Sequence, residues 1–559
     1  MQRERIIESI KANPEVDVLV VGAGINGAGT FRDLALNGVN VLLVDRGDFC
    51  SGASATSSHM AHGGIRYLEN GEFRLVREAV AERNRMIENA PHLVQPLPTV
   101  IPIFKIFSGL LNAPLKFLNW LDRPSERGAL VIKIGLIFYD SFTRKQKTVP
   151  RHKFYSREEA LKNYPHLNSK IKYAALYYDG QLLSPERMTV EIILDGEDEG
   201  VHAKALNYTA LTDFDGTYAL LRDVVTGEEF IVHPKMVINA AGPWVDEVND
   251  KLGFKDKMIG GTKGSHLVIK NDLLREAVGV SEFFFENKDG RIVLLLPFFD
   301  RVIVGTSDLP IENPDDARCT KEEEEYFLDL IKRVFPTIPV TRDQIVFRFS
   351  GVRPLEYMKA KTTGQITRDH SMKFNTVGEI PVISLVGGKW TSFRAFAEQA
   401  TDEALKRLNS NRKSSTASLP LRGGANFPVS ENEKEKYVKS LVEKTGFSEN
   451  YISALLERYG TRASQISDYI VKSNGHFLSS IENWNSAEVK YLLETEKPIH
   501  LDDFFLRRSI LGWLGKIKPL VIEEFSKIIG DTFNWTETKR HEEIDYLKKV
   551  FQDYYGVTL

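Results

Sequence analysis

Residues 16–46 read VDVLVVGAGINGAGTFRDLALNGVNVLLVDR: an apolar strand, a glycine-rich turn, a helix, and a second strand ending in Asp45-Arg46. No other stretch constrains the fold as strongly, because a βαβ unit with glycines at these positions is a cradle for a dinucleotide. Gly22 permits the tight turn after the apolar run 18–21, Gly24 lets the backbone approach a pyrophosphate, and Gly27 lets the helix pack close to the strand. The pyrophosphate then rests on the N–H groups and positive end of that helix. Asp45 ends the second strand where a carboxylate accepts hydrogen bonds from adenosine ribose hydroxyls. It would repel a 2′-phosphate, so NADP is disfavoured, and Arg46 is counted with it among the cofactor contacts.

A chain of 559 residues is too long for one hydrophobic core, and two or three domains are expected. Composition is that of a soluble globular protein, with 42% hydrophobic and 27% charged residues. A net charge of −3 argues against a nucleic-acid partner held by a general basic field. With only Cys50 and Cys319, neither a disulfide framework nor a four-cysteine metal site can be built, and a reducing compartment is expected. No metal is expected, and no D-x-[DN]-x-[DN]-G calcium loop occurs. The opening MQRERIIESIKANPE lacks the apolar core of a signal peptide and carries acids that a transit peptide avoids. No run of about 18 uninterrupted apolar residues occurs, so no transmembrane helix is expected.

Along the chain, the βαβ unit is followed by a Ser/Thr/Gly-rich loop at 51–64 and a long helix at 72–89. Residues 182–202 read as a helix capped by Ser184 with Pro185 at its first position. Residues 203–241 turn β-rich, with a Thr226-Gly227 turn and the buried strand MVINAAG. Strands at 291–296 and 302–305 and a charged helix at 321–334 follow, then a strand at 381–386, Gly387-Gly388 and a helix from Thr391. Residues 409–418 read as a polar linker, and the pattern beyond is helical. No internal repeat is found.

Several polar residues stand where chemistry concentrates. His62-Gly63-Gly64 is a turn whose missing side chains let a flat group lie against the backbone, and Arg66 and Tyr67 set an anion fork and a hydroxyl beside it. Arg353 in SGVRPL, Arg368 in ITRDH and Lys389 in GGKWTS each sit beside a glycine or a strand end, in loops of the kind that carry binding residues. For any one of them alone surface charge is the better reading, but several cations converging on one pocket call for an anionic ligand. His266 in KGSHLVI is either a general base or a satisfied core histidine.

Taken together, these segments resemble the FAD-dependent glycerol-3-phosphate dehydrogenases and oxidases, within the wider amino-acid-oxidase-like flavoproteins. The matching words are VVGAGINGAG, SSHMAHGGIRYLENGEFRLVREAVAER, IKIGLIFYD, VINAAGPWVD, KGSHLVI, VGTSD, SGVRPL, ITRDH and GGKWTSFR, spread from residue 20 to residue 394 in the family's order. The resemblance implies an α/β fold: a Rossmann-like FAD domain from 15–90, 181–258 and 361–408, a β-rich substrate cap from 91–180 and 259–360, a linker at 409–418 and a helical C-terminal domain at 419–559. It implies FAD held by Gly22, Gly24, Gly27, Asp45, Arg46, Ser57, His62, Gly63, Gly64, Ala241, Gly242, Gly388, Lys389 and Thr391, without a covalent bond. It places sn-glycerol 3-phosphate on Arg66, Tyr67, Arg353, Arg368 and Lys389, with His266 as base or Arg353 as stabiliser of the developing alkoxide; both roles stay open.

Residues 104–130, FKIFSGLLNAPLKFLNWLDRPSERGAL, look longer than the family's usual connection. Apolar bulk, Trp120 and interleaved lysines suit an interfacial helix in one membrane leaflet, and equally a buried cap helix. The first reading implies a peripheral protein on the inner face of the cytoplasmic membrane, passing electrons to quinone. A homodimer is the oligomeric expectation. The rivals are an oxidase using oxygen, a relative acting on another 2-hydroxy acid or amine, and a non-enzymatic scaffold with a vestigial cradle.

Overall fold

The apolar run that opens the glycine-rich motif forms the strand Glu15–Val21 in the middle of a parallel sheet. In this computed structural model, which describes residues 2–65, 73–106, 128–143, 148–286, 292–357 and 370–559, the parallel strands run in the order Ala203–Leu206, Val41–Val44, Glu15–Val21, Glu229–Asn239 and Ile380–Val386. Ser371–Val377 closes one edge antiparallel. Both faces are covered, as the unbroken apolar runs require. Val18 and Val20 face the helices Ile25–Leu36, Pro185–Glu197 and Phe393–Arg407, while Leu19 and Val21 face the other way. That second face is covered by the hairpin Thr209–Phe214 with Ala219–Asp223 and by a helix, Gln2–Ala12, to which the sequence reading assigns no element. The helix is tethered by Arg3, whose guanidinium is bidentate on Asp223 at 2.9 Å.

A second, mostly antiparallel sheet forms the cap. Its strands run in the order Leu309–Pro310, Thr262–Ile269, Arg301–Gly305, Ile292–Phe298, Glu282–Glu286, Val94–Ile103, Tyr173–Leu182 and Met60–Ala61, with Ile345–Arg353 also paired to Thr262–Ile269. Met60–Ala61 pairs with Tyr173–Leu182, so this part of the 15–90 segment is woven into the cap sheet. The helix expected from 182 begins at Pro185, because strand pairing continues through Leu182 and Ser184 caps the helix by accepting from the Arg187 N–H.

The C-terminal helices share one large core with Phe347 and Phe349 of the cap sheet. Residues 409–418 are not a loose linker. Arg412 forks onto both oxygens of Asp33 and bonds Asp402, and Asn37 Oδ1 accepts from the N–H groups of Lys413 and Ser414. No helix among the described residues is long and apolar enough to cross a membrane. Residues 107–127, most of the segment read as a membrane contact, lie outside the described residues. The helix that follows, Ala129–Thr143, buries Leu136 and Tyr139 but exposes Leu130 (41%), Ile134 (46%), Ile137 (54%) and Phe138 (50%).

Candidate active site

The cradle has no room for side chains at its turning points. A β-carbon at Gly27 would stand 1.8 Å from the Gly22 carbonyl oxygen, and Gly22, at φ +106°, would carry one 2.7 Å from the oxygen of Ala240. Gly24 is the N-cap of helix Ile25–Leu36 and offers no capping side chain, while Ser54 Oγ takes the Ile25 N–H at 2.9 Å. A helix start that does not cap itself suits an anion, so the residues present fit a dinucleotide pyrophosphate.

Asp45 lies at the end of strand Val41–Val44 and accepts from the N–H groups of Ala23 (2.6 Å) and Gly47 (2.9 Å). Burial raises its pKa to about 6 against the pull of these hydrogen bonds. Arg46 turns outward, pairing with Glu247 and Asp315 and covering the Trp244 ring. The Ala241 N–H bonds Asn239 Oδ1, and at Gly242, φ +58°, the space a β-carbon would fill is open.

The loop 54–64 is held between the two sheets. On one side Trp390 donates to the Ser54 carbonyl and Thr391 to the His62 carbonyl, at the turn where Gly387 and Gly388 take φ of +78° and +86°. Lys389 stands at that turn as N-cap of Trp390–Ser392. Ser57 Oγ accepts from the His59 N–H at 3.3 Å, and Gly64 takes φ +75°. At Gly63 the missing side chain makes room for the protein itself: a β-carbon would meet the Tyr139 hydroxyl at 2.0 Å. The Gly63 N–H donates to Asp179, which also accepts from Tyr139 and Arg83.

On the other side the loop meets one face of the cap sheet, where Gly264, His266, Phe349, Gly351 and Arg353 project together by strand alternation. Thr56 rests on Gly351, whose β-carbon would lie 2.5 Å from its carbonyl oxygen, and Ser58 Oγ reaches His266 Nε2 at 2.8 Å. His266 is buried, stacks on Phe349 with ring centroids 4.6 Å apart, and has no partner at Nδ1 among the described residues. Burial, with the Arg353 and His59 charges beside it, drives its pKa well below the ordinary histidine value. Arg353 is half-buried and fixed by Asp308 (3.1 Å), Thr306 Oγ1 (3.1 Å) and the Ser307 carbonyl (3.0 Å).

His266 and Arg353 thus meet on one surface with the loop 54–64, and Lys389 lies at the turn behind it. Arg66, Tyr67 and Arg368 lie outside the described residues. Sequence reasoning missed Ser54, Ser58, Thr306 and Asp308, which hold the named residues in place. Asp308 stands inside VGTSD, yet nothing in the sequence says that it faces an arginine 45 residues away.

A family model described as FAD dependent oxidoreductase matches residues 17–379, and one described as the C-terminal domain of alpha-glycerophosphate oxidase matches residues 414–540. A glycerol-3-phosphate dehydrogenase from Synechocystis is 34% identical over 557 residues, covering 95% of each chain. A probable mitochondrial glycerol-3-phosphate dehydrogenase from Dictyostelium discoideum is 30% identical, over 96% of this chain and 84% of that one. Among solved structures, the glycerol-3-phosphate dehydrogenase from Bacillus halodurans complexed with FAD superposes with a TM-score of 0.75 at 24% identity, over 99% of this chain and 97% of that one. With the cradle, the cap sheet and the helical C-terminal domain in place, the chain belongs to the FAD-dependent oxidoreductases, in the glycerol-3-phosphate dehydrogenase family.

Proposed function

We propose that this protein oxidises sn-glycerol 3-phosphate to dihydroxyacetone phosphate, with FAD as the primary acceptor and a quinone as the final one. The observation that carries the reading is the placement of Arg353 and His266 on the cap face that meets the glycine-rich loop, in a chain of this family. When bound, FAD supplies the two-electron chemistry. Everything else falls to the protein's own groups.

His266 is neutral at working pH and can accept a proton, but it is almost wholly buried behind Ser58. The substrate C2 hydroxyl proton therefore reaches Nε2 by way of the Ser58 hydroxyl. The same burial makes imidazolium unfavourable, so negative charge on the C2 oxygen is stabilised chiefly by Arg353, preorganised by Asp308 and Thr306. The phosphate is assigned to Arg66, Arg368 and Lys389, with Tyr67 beside it; for Arg66, Tyr67 and Arg368 this rests on the sequence motifs.

The exposed apolar face of Ala129–Thr143, with exposed Lys133 among its residues, continues the apolar segment 104–130. It supports a protein lying peripherally on the inner face of the cytoplasmic membrane, where a lipid-soluble quinone is at hand. Turnover with sn-glycerol 3-phosphate, given a quinone analogue and oxygen in separate reactions, tests the reading. Dihydroxyacetone phosphate formed faster with quinone supports it; stoichiometric hydrogen peroxide with oxygen alone would make the protein an oxidase.

A further inference from the structure

Ala23, inside the glycine-rich turn, is held at both backbone groups by the loop that follows the second strand. Asp45 accepts its N–H at 2.6 Å, and the Cys50 N–H donates to its carbonyl at 3.1 Å. Between those two contacts stands Asp48, fully buried. Its carboxylate accepts from Arg507 Nε (2.6 Å) and from Arg508 Nη1 and Nη2 (2.7 and 2.9 Å), on a π-helical turn of the C-terminal domain, a rare winding frequent at functional sites. The adjoining loop is held the same way. Tyr208 donates its hydroxyl to Asp503 at 2.6 Å and its N–H to the Gly47 carbonyl at 2.8 Å, while Asn207 Nδ2 bridges Asp48 and the Lys497 carbonyl.

We propose that the C-terminal domain is a clamp on the dinucleotide cradle, acting through Asp48 and the Arg507–Arg508 pair, so that retention of FAD depends on it. The inference rests on the FAD assignment above. Burial alone would push the Asp48 carboxyl up, but the two guanidinium groups hold it down at about 2, so the pair stays ionised at any working pH. A buried, multiply bonded pair is strongly disturbed by loss of one partner, because the other is left charged and uncompensated. With Asp48 neutralised, loop 45–50 loses its link to Arg507 and Arg508, and the segment that sets Asp45 and Cys50 on Ala23 is held less firmly. Asp48 touches neither substrate nor reacting atoms; it is a positioning residue.

The test is flavin release from full-length holoenzyme after dilution, followed by the rise in flavin fluorescence, for wild type, Asp48→Asn and the milder Tyr208→Phe. The clamp predicts release faster by roughly ten-fold or more in Asp48→Asn and by a smaller factor in Tyr208→Phe, with lost activity recovered when FAD is added back. Release at the wild-type rate in Tyr208→Phe and in folded Asp48→Asn overturns the clamp. So does activity lost in either variant that excess FAD does not restore, since that is the mark of a merely structural role. Should Asp48→Asn fail to fold, Tyr208→Phe decides alone. If wild-type protein itself binds no FAD, the functional reading has failed, an outcome distinct from any of these.

Discussion

The guanidinium of Arg353 is laid across Gly264, so close that a β-carbon on the glycine would stand 2.3 Å from Nη2. Asp308 and Thr306 hold it from the other side. A Gly264→Ala substitution should therefore push Arg353 out of line, and Arg353→Lys should lose the fork that matches an oxyanion. Each is expected to lower kcat by about 10²–10³-fold while flavin absorbance per protein stays unchanged. Steady-state kinetics beside a visible spectrum checks both.

Ser58 Oγ is hydrogen-bonded to His266 Nε2. If it relays the proton, Ser58→Ala should lower kcat by roughly ten-fold or more, and His266→Gln by about 10²-fold, with little change in KM for either. Equal kcat values in Ser58→Ala and wild type would remove the relay.

Two buried histidines make the fold sensitive to acid. Burial lowers His59 to about 4 against the pull of the Leu182 backbone, its ring lying among Phe298, Phe349 and Trp513. Burial also lowers His266 well below the ordinary histidine value. The unfolded chain binds these protons near the ordinary histidine value of about 6.5, so it gains protons first as pH falls. The stability is complete above that pH and is lost on acidification from about 6.5 toward 4, His59 alone accounting for about 3 kcal/mol. Urea denaturation at pH 7 and pH 4.5 should show the loss, and His59→Asn, which tolerates the φ of +54° at this position, should show less of it.

Much of this was legible in the sequence, for reasons that differ along the chain. The nucleotide unit is local: strand, turn, helix and distal acid lie within 31 consecutive residues, and the glycines report contacts as tight as Gly27 on Gly22. The cap site is not local. Arg353 finds Asp308 across two strand connections, and Asp48 finds Arg508 across 460 residues, so no pattern within a window points to either pair. Arg46 follows Asp45 just past the end of strand Val41–Val44, and the sequence shows no sign that its side chain pairs with Glu247. Nothing in the sequence of the His62-Gly63-Gly64 turn says that Tyr139 occupies the space beside Gly63. The hydrophilic string at 409–418 reads as a linker because its polar groups resemble those of a solvated loop; Asp33 and Asn37, which satisfy them, lie in another element.

The apolar face of Ala129–Thr143 predicts membrane affinity. Ile137→Asp combined with Phe138→Asp replaces two side chains that are 54% and 50% exposed, so stability should change little. Co-sedimentation with anionic liposomes at low salt should fall several-fold in the double variant, with solution turnover on a soluble quinone unchanged.

Reduction by sn-glycerol 3-phosphate is what this site and FAD together require. The most direct measurement is the visible spectrum of the purified, flavin-loaded protein under argon before and after the substrate is added. Addition of sn-glycerol 3-phosphate should bleach the oxidised flavin band, unphosphorylated glycerol should not, and a quinone analogue should restore it. A yellow protein that sn-glycerol 3-phosphate leaves unbleached would contradict the substrate assignment, and a colourless protein that takes up no FAD would contradict the cradle itself.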